Sequence, residues 1–325
     1  MARGVLPESE KTENVEGTNA TLFEESNCDR LFSPLLETGA AEYADAVMRN
    51  INSKPKAFKM QTRTLQAMMI LLAALSAVSA GIASATDAQQ SASPVLIELF
   101  TAEGCSSCPP ADAFLRTLDA TQPVPGAQLI MMGEHVDYWD NQGWRDPFSS
   151  APLTDRQRGY ERALGRAEPY TPQFIVDGTS EIRLSERPKM AQLLKDAAAS
   201  PKIPVTIDSL KIEPGTPAFL SGKISADGNA QGHKSDVFLG LALDHFESKV
   251  LRGENRGQTL THVAVLLELV KLGALTPGGK FSQDFRVPVK AGVDPGNLRV
   301  IGFVQESRYG KVIGAALRRT TAGPG

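Results

Sequence analysis

Val95-Leu96-Ile97-Glu98-Leu99-Phe100 leads through Thr101-Ala102-Glu103-Gly104 into Cys105-Ser106-Ser107-Cys108-Pro109-Pro110 and on to Ala111-Asp112. The first run is apolar, short and bounded by small and turn-forming residues, which reads as a buried strand. After the cysteines, Ala111–Leu118 places Phe114, Leu115 and Leu118 on one helical face. Two thiols two residues apart at a strand-to-helix junction can close into a disulfide, attack one, or hold a soft metal. The remaining cysteine, Cys28, lies far upstream, so no disulfide framework competes for the pair.

Working outward, the pattern alternates. Gln128–Val136 is a second apolar strand and Leu153–Ala167 is helix-like. Gln173–Val176 is a strand that turns at Asp177-Gly178 toward Ser180–Leu184, and Arg187–Ala199 repeats Met190, Leu193 and Leu194 at helical spacing. Two strands joined through a helix must run parallel with a right-handed crossover, while the hairpin adds antiparallel strands, giving a mixed sheet. This α/β order, with the Cys pair between the first strand and its helix, predicts a thioredoxin-like core over residues 86–200. Beyond Pro201 the punctuation changes. Pro204–Ile212, Ala218–Ala226, Asp236–Asp244, Phe281–Val289, Leu298–Gln305 and Lys311–Arg318 are short β-type runs between Gly, Pro and Asp turns, which predicts a β-sandwich-like C-terminal domain over 201–325. Thr259–Leu275 is rich in Leu and Val, and its periodicity fits strand or helix.

The N-terminal region carries a different signal. Thr64–Ala85 holds no charged residue, follows Lys54, Lys56, Lys59 and Arg63, and ends in Ala83-Ser84-Ala85, a small-x-small cleavage pattern. Residues 60–85 are therefore expected to be a signal peptide starting at Met60. Residues 1–59 would be a disordered leader or an extension of the gene model. The uncharged stretch also reaches the roughly 20 residues a membrane anchor needs, so a membrane partner enters only if the segment stays uncleaved. Either way the cysteines would lie outside the cytoplasm, periplasmic or secreted, where thiols oxidise. With 37 acidic against 34 basic residues, the composition offers no basic footprint for nucleic acid. No dinucleotide fingerprint or P-loop is present, so no nucleotide cofactor is expected.

Exchange chemistry needs one thiolate to attack a disulfide sulfur and a second to resolve the mixed disulfide. Cys105 is the candidate nucleophile, facing solvent, and Cys108 the resolving thiol beneath it. Pro109 should push Cys108 away from helical geometry, leaving Cys105 outside the helix whose N-terminus would acidify it. The alternative is an inert local disulfide. Thr171-Pro172 at a strand entry is expected to be cis, holding backbone groups open to an extended substrate beside the cysteines. His135 and Asp137 share one face of the second strand and, with Trp139, should lie near Cys105 at the carboxyl ends of the parallel strands. There His135 serves as proton shuttle or metal ligand and the tryptophans as a substrate platform. The plainer alternative has His135 and Asp137 pairing to staple the loop while the tryptophans fill a satellite core. Glu98 resembles the buried acid that precedes the Cys pair in thioredoxins, one residue further away. Arg252-Gly253-Glu254-Asn255, with Gly257 and His262, reads as a structural turn or domain-interface cluster.

The set Glu98-Leu99-Phe100-Thr101, Gly104-Cys105-Ser106-Ser107-Cys108-Pro109-Pro110-Ala111-Asp112, His135-Val136-Asp137-Tyr138-Trp139-Asp140 and Tyr170-Thr171-Pro172-Gln173 resembles one family of exported bacterial proteins, domain-of-unknown-function family 1223. Gly253-Glu254-Asn255 and Leu260-Thr261-His262 are similar to the same family's pattern, and the resemblance runs from Pro94 to the C-terminus. It implies a thioredoxin-like fold with a β-rich tail and carries no established activity. By the thioredoxin analogy Cys105, Cys108 and Pro172 carry over as the reactive set; Thr171, Trp139, His135 and Asp137, placed beside them by the strand order, are the expected substrate contacts. The function expected is a thiol–disulfide oxidoreductase acting on protein thiols or disulfides, with a redox partner in the cell envelope and neither resident metal nor cofactor. The alternatives are a Cu(I)-type metallochaperone, with Cys105, Cys108 and His135 as ligands, and a non-catalytic envelope binding protein.

Overall fold

The computed structural model describes residues 92–228 and 232–320. The expected leader 1–59 and signal peptide 60–85 lie outside the described residues. β1 (Ser93–Thr101) is followed by α1 (Pro109–Thr121), β2 (Ala127–His135), α2 (Ala151–Ala163), the hairpin β3 (Gln173–Val176) and β4 (Ser180–Ile182), and α3 (Arg187–Ala199). Seven strands then follow: β5 (Val205–Glu213), β6 (Phe219–Asp227), β7 (Ser235–Lys249), β8 (Thr259–Leu275), β9 (Lys280–Pro288), β10 (Leu298–Glu306) and β11 (Val312–Arg319). Prolines open all three helices, where a missing N–H costs nothing.

The fold is mixed α/β. An eight-stranded sheet has the order β11-β10-β7-β8-β2-β1-β3-β4, and β5-β6-β9 form a separate three-stranded antiparallel sheet. β1 and β2 run parallel in register from Ser93↔Ala127 to Thr101↔His135, and β3 and β4 close antiparallel on the other side of β1. The ambiguous stretch Thr259–Leu275 is a single strand, β8. Its alternation is masked for two reasons. Two β-bulges in its pairing with β7 shift the inward side chains, and both faces are covered, so Val265 and Leu266 point into different cores.

Alternation along β1 and β2 divides the apolar side chains between layers. Val95, Ile97, Leu99, Leu129 and Met131 pack on one face under α1 and α3. Leu96, Ile130 and Met132 point to the other face, where Leu153 of α2 and the strand residues Ala242, Leu266, Ile301, Phe303, Val312 and Ala315 cover them. The far side of those later strands, with Leu239, Leu241, Val300 and Val304, packs on Ile207, Leu220, Ile224 and Phe285 of the three-stranded sheet. The expected division between 86–200 and 201–325 is thus not a division of the core. Strands from beyond residue 201 extend the first sheet and bury its second face, and the described residues form one compact unit. The physical reason is that α2 alone leaves most of the sheet's second face bare, and that face needs a further apolar cover.

Candidate functional site

Cys105 and Cys108 are joined in a disulfide, with Cα atoms 5.4 Å apart. The loop that carries them is built from local turns, Cys105 N–H to Ala102 O at 3.1 Å and Cys108 N–H to Cys105 O at 3.2 Å. Cys108 caps α1 and, against expectation, takes helical geometry (φ −80°, ψ −37°) ahead of Pro109. The preference of a pre-proline residue for extended backbone is overridden here because the Cys108 carbonyl accepts from both Ala111 and Asp112, at 2.8 and 3.1 Å, and the disulfide fixes the preceding turn. Cys105 lies three residues before the cap, outside the helix as expected.

A second correction concerns exposure. Cys105 does not face solvent: both cysteines have 0% of their surface exposed. They sit in an apolar nest of Phe100, Ala102, Val136, Tyr160 and Ile175, edged by Tyr138, Trp139 and Tyr309. The turn between β7 and β8 is bonded to the loop that carries them. Asn255, itself buried, donates from Nδ2 to the carbonyls of Glu103 and Cys105, both at 2.9 Å, and Glu254 Oε2 accepts the exposed Ser106 N–H at 3.1 Å. These hydrogen-bond partners come from residues about 150 positions downstream of the pair, where local sequence pattern carries no information about them.

Trp139 connects the Cys nest to the proline. Its Cβ lies beside Gly104, and its indole N–H donates to Thr171 Oγ1 at 2.8 Å. The Thr171–Pro172 bond is cis, as is Thr216–Pro217, which the sequence reading did not flag. Cys105, Cys108, Trp139 and Thr171 are thus brought together, with Pro172 next in the chain. His135 and Asp137 go elsewhere. His135 is buried and its Nδ1 meets Asp146 Oδ2 at 2.7 Å, while Asp137 accepts from Thr154 Oγ1 at 2.6 Å and receives no contact from His135. The plain stapling role holds for His135 with a different partner. Successive strand residues of one face can meet a loop residue more readily than each other, and Asp137 lies past the end of β2, where alternation no longer applies.

Two buried polar networks flank the pair. On the α1 side, Asp146 Oδ2 also accepts the Glu103 N–H at 2.8 Å, Trp144 Nε1 donates to Glu103 Oε2 at 2.7 Å, and Thr101 Oγ1 donates to Asp112 Oδ2 at 3.1 Å. His262 lies between Glu103 Oε1 at 3.7 Å and Asp112 Oδ1 at 3.6 Å, and neither ring nitrogen finds a hydrogen-bond partner among the described residues. Burial alone would push the His135 imidazole down, but the Asp146 carboxylate outweighs it and carries the group up to about 9. Burial would push the Asp146 carboxyl up, yet His135 and the N–H groups of Glu103 and Phe148 hold it below its usual range. Burial and the nearby Asp146 charge raise Glu103.

On the α2 side, Glu98 accepts from Arg156 Nε at 2.6 Å and from Tyr160 OH at 2.5 Å. Arg156 is sandwiched by the Tyr160, Phe238 and Phe303 rings, and Gln305 of β10 donates to Tyr160 OH at 2.9 Å. Glu134, one strand over, has both oxygens without a hydrogen bond among the described residues; burial and then the Glu98 charge lift its carboxyl well above the usual range. A cleft of about 360 Å³ opens beside this network, with Arg156, Phe238, Gln305 and Tyr309 in its lining and neither cysteine.

A family model described as "Protein of unknown function (DUF1223)" matches residues 96–305. The chain belongs to the DUF1223 family. No curated protein matches it. Among solved structures, this DUF1223 chain is similar to protein AGR_C_4864 from Agrobacterium tumefaciens, at 22% identity and a TM-score of 0.54, covering 71% of this chain and 96% of that one. That likeness is one of fold. HBP35 of Porphyromonas gingivalis matches at 17% identity and a TM-score of 0.49, over 72% of this chain and 78% of that one.

Several members of the DUF1223 site escaped the sequence reading: Glu103, Asp112, Asp146, Arg156, Tyr160 and Gln305. Two signals were present. Glu98 interrupts a run that is otherwise apolar, which demands a buried counter-charge. Arg156 and Tyr160 are four apart in α2, hence on one face, and that face is the buried one.

Proposed function

We propose that this DUF1223 protein is an exported thiol–disulfide oxidoreductase, with a thioredoxin-like first half and a β-sandwich-like second half. The observation that carries the reading is the Cys105–Cys108 disulfide at the mouth of α1, packed beside Trp139, whose indole N–H donates to Thr171 at the entry to β3. A staple would link distant segments, because a loop this short removes little chain entropy from the unfolded state. A pair at one turn is suited to opening and closing.

The chemistry needs a dithiol partner, a protein of the cell envelope. Its first thiolate attacks Cys105 Sγ and the Cys105–Cys108 bond breaks, with Cys108 leaving as thiolate and taking up a proton. The partner's second thiolate then attacks its own sulfur in the mixed disulfide and expels Cys105, which is protonated in turn. Two electrons and two protons pass from partner to protein, and the reverse sequence oxidises the protein. Export rests on the uncharged Thr64–Ala85 segment behind Lys54, Lys56, Lys59 and Arg63. The metallochaperone reading finds less support. His135 spends Nδ1 on Asp146, and no three His, Cys, Asp or Glu side chains among the described residues are arranged to hold a metal ion.

Expression of the full chain with Cys108→Ser in a cell envelope, followed by non-reducing electrophoresis and mass spectrometry, tests this reading. Covalent partners bound through Cys105, absent from Cys105→Ser, are expected. Absence of any partner, together with copper bound in stoichiometric amount by the reduced wild type, would overturn it in favour of metal transfer. Absence of both partner and metal would leave a binding protein.

A further inference from the structure

We infer that the turn Val250–Gln258, at the tip of the β7–β8 hairpin, is a latch over the Cys105–Cys108 disulfide that must lift before any thiol can reach it. The inference rests on the oxidoreductase reading for its purpose and on geometry alone for its existence. An attacking thiolate must approach a sulfur in line with the bond it breaks, and neither cysteine exposes any surface. The tie between the turn and the loop that carries the pair is specific. Asn255 spans the Glu103 and Cys105 carbonyls, and Glu254 takes the N–H of Ser106, so all three bonds end on the loop that contains the disulfide.

The turn has the construction of a part that moves as a unit. Its base is closed by Val250 N–H to Gln258 O at 3.0 Å and Gly257 N–H to Val250 O at 2.8 Å, and Gln258 Nε2 holds Asn255 Oδ1 at 3.2 Å. Gly253 (φ 74°) and Gly257 (φ 84°) occupy left-handed backbone that other residues rarely adopt. Leu251, Arg252, Glu254, Arg256 and Gly257 are exposed, and Val250 at the base is the buried apolar side chain of the turn, so lifting the tip beyond Val250 strips little apolar surface from the protein. Ser106 and Ser107 between the cysteines are exposed as well. The edge of the disulfide loop is therefore in solvent while its sulfurs are sealed. Because the latch bonds to backbone atoms of that loop, the redox state of the pair and the position of the turn are reciprocally coupled.

The test uses the oxidised full chain and tris(2-carboxyethyl)phosphine, with thiol appearance followed by alkylation and mass spectrometry. Asn255→Ala is expected to speed reduction about thirtyfold, the factor for two net hydrogen bonds, and Glu254→Ala no more than about fivefold. In the wild type the reduction rate between 0 and 2 M urea should rise with a slope under about a third of the equilibrium slope for unfolding, the mark of a local opening. Wild-type reduction as fast as in the urea-unfolded chain would overturn the latch. So would a urea slope equal to that of global unfolding, or an Asn255→Ala variant that keeps its melting temperature and is reduced at the wild-type rate. The phosphine is not a biological partner, so the outcomes separate. A working latch with no trapped partner sinks only the oxidoreductase reading, and trapped partners with a freely reducible disulfide sink only the latch.

Discussion

Asp146→Asn is the most informative substitution for the network beside the disulfide. Asp146 Oδ2 holds both His135 Nδ1 and the Glu103 N–H, and its Oδ1 takes the Phe148 N–H at 2.9 Å. An amide keeps most of that shape and removes the charge. His135 binds its proton more tightly in the folded state, up to about 9 against an ordinary 6.5. The stabilisation from that proton is therefore complete below about pH 6.5 and is lost as pH climbs toward 9, and the gap corresponds to about 3 kcal/mol. Without the Asp146 anion, burial is left opposed only by the more distant Asp112 and Glu103 charges, and the imidazole falls back. Urea unfolding at pH 6, 7, 8 and 9 reads this directly. The variant should be less stable than the wild type by about 3 kcal/mol at pH 6, with the difference shrinking to under about 1 kcal/mol by pH 9. A difference that stays constant across this window would refute the assignment of His135 as the charged partner.

Three further outcomes follow from geometry elsewhere. Gly159→Ala places a methyl group inside the Tyr309 ring, which packs on α2, and should cost about 1–3 kcal/mol in urea unfolding, most of it recovered by adding Tyr309→Ala. Glu134→Gln alone should change stability by under about 1 kcal/mol, since burial and the Glu98 charge already work against its ionised form and its oxygens make no hydrogen bond among the described residues. Glu98→Gln with Glu134→Gln should cost more than the single changes add up to, by about 2 kcal/mol, because Arg156 then has no anion left in its cavity. Arg299→Lys should lower stability by about 2 kcal/mol in thermal unfolding: Arg299 forks onto both oxygens of Asp119 at 3.0 Å and reaches Asp244 at 2.8 Å from within the core, a geometry an ammonium does not reproduce.

Much of the first half was legible because its information is local. Strand-to-helix alternation located β1, α1, β2 and α2 within a few residues, and Gln173–Val176 and Arg187–Ala199 match the expected ranges. The Cys pair declared its junction, and Thr171-Pro172 its cis bond. What stayed hidden depends on contacts between distant segments. Nothing near Cys105 announces that Asn255 will roof it. β8 kept its identity concealed because bulges against β7 break its period of two. His135 chose Asp146 across a loop rather than Asp137 two residues away, a choice set by where β2 ends. The domain boundary at Pro201 read a change in local grammar correctly as a change of element type, while the core runs across it.

The junction between β2 and β8 is a single bridge, Gly133 to Val265, yet it joins the parallel β1–β2 pair to strands that run on to Arg319. Leu96, Ile130 and Met132 therefore wait for Ile301, Phe303 and Val312 before they are dry. A chain emerging from the ribosome cannot bury the second face of its first sheet until Val312 and Ala315 have been made, and a fragment ending at Ser200 would present a greasy face to other molecules. Folding here has long loops to close, slow by its topology and open to aggregation until it is over. For a pair of cysteines whose loop is held by Asn255, that delay means the thiols stay reachable by foreign thiols and oxidants until the β7–β8 turn has been made and has docked.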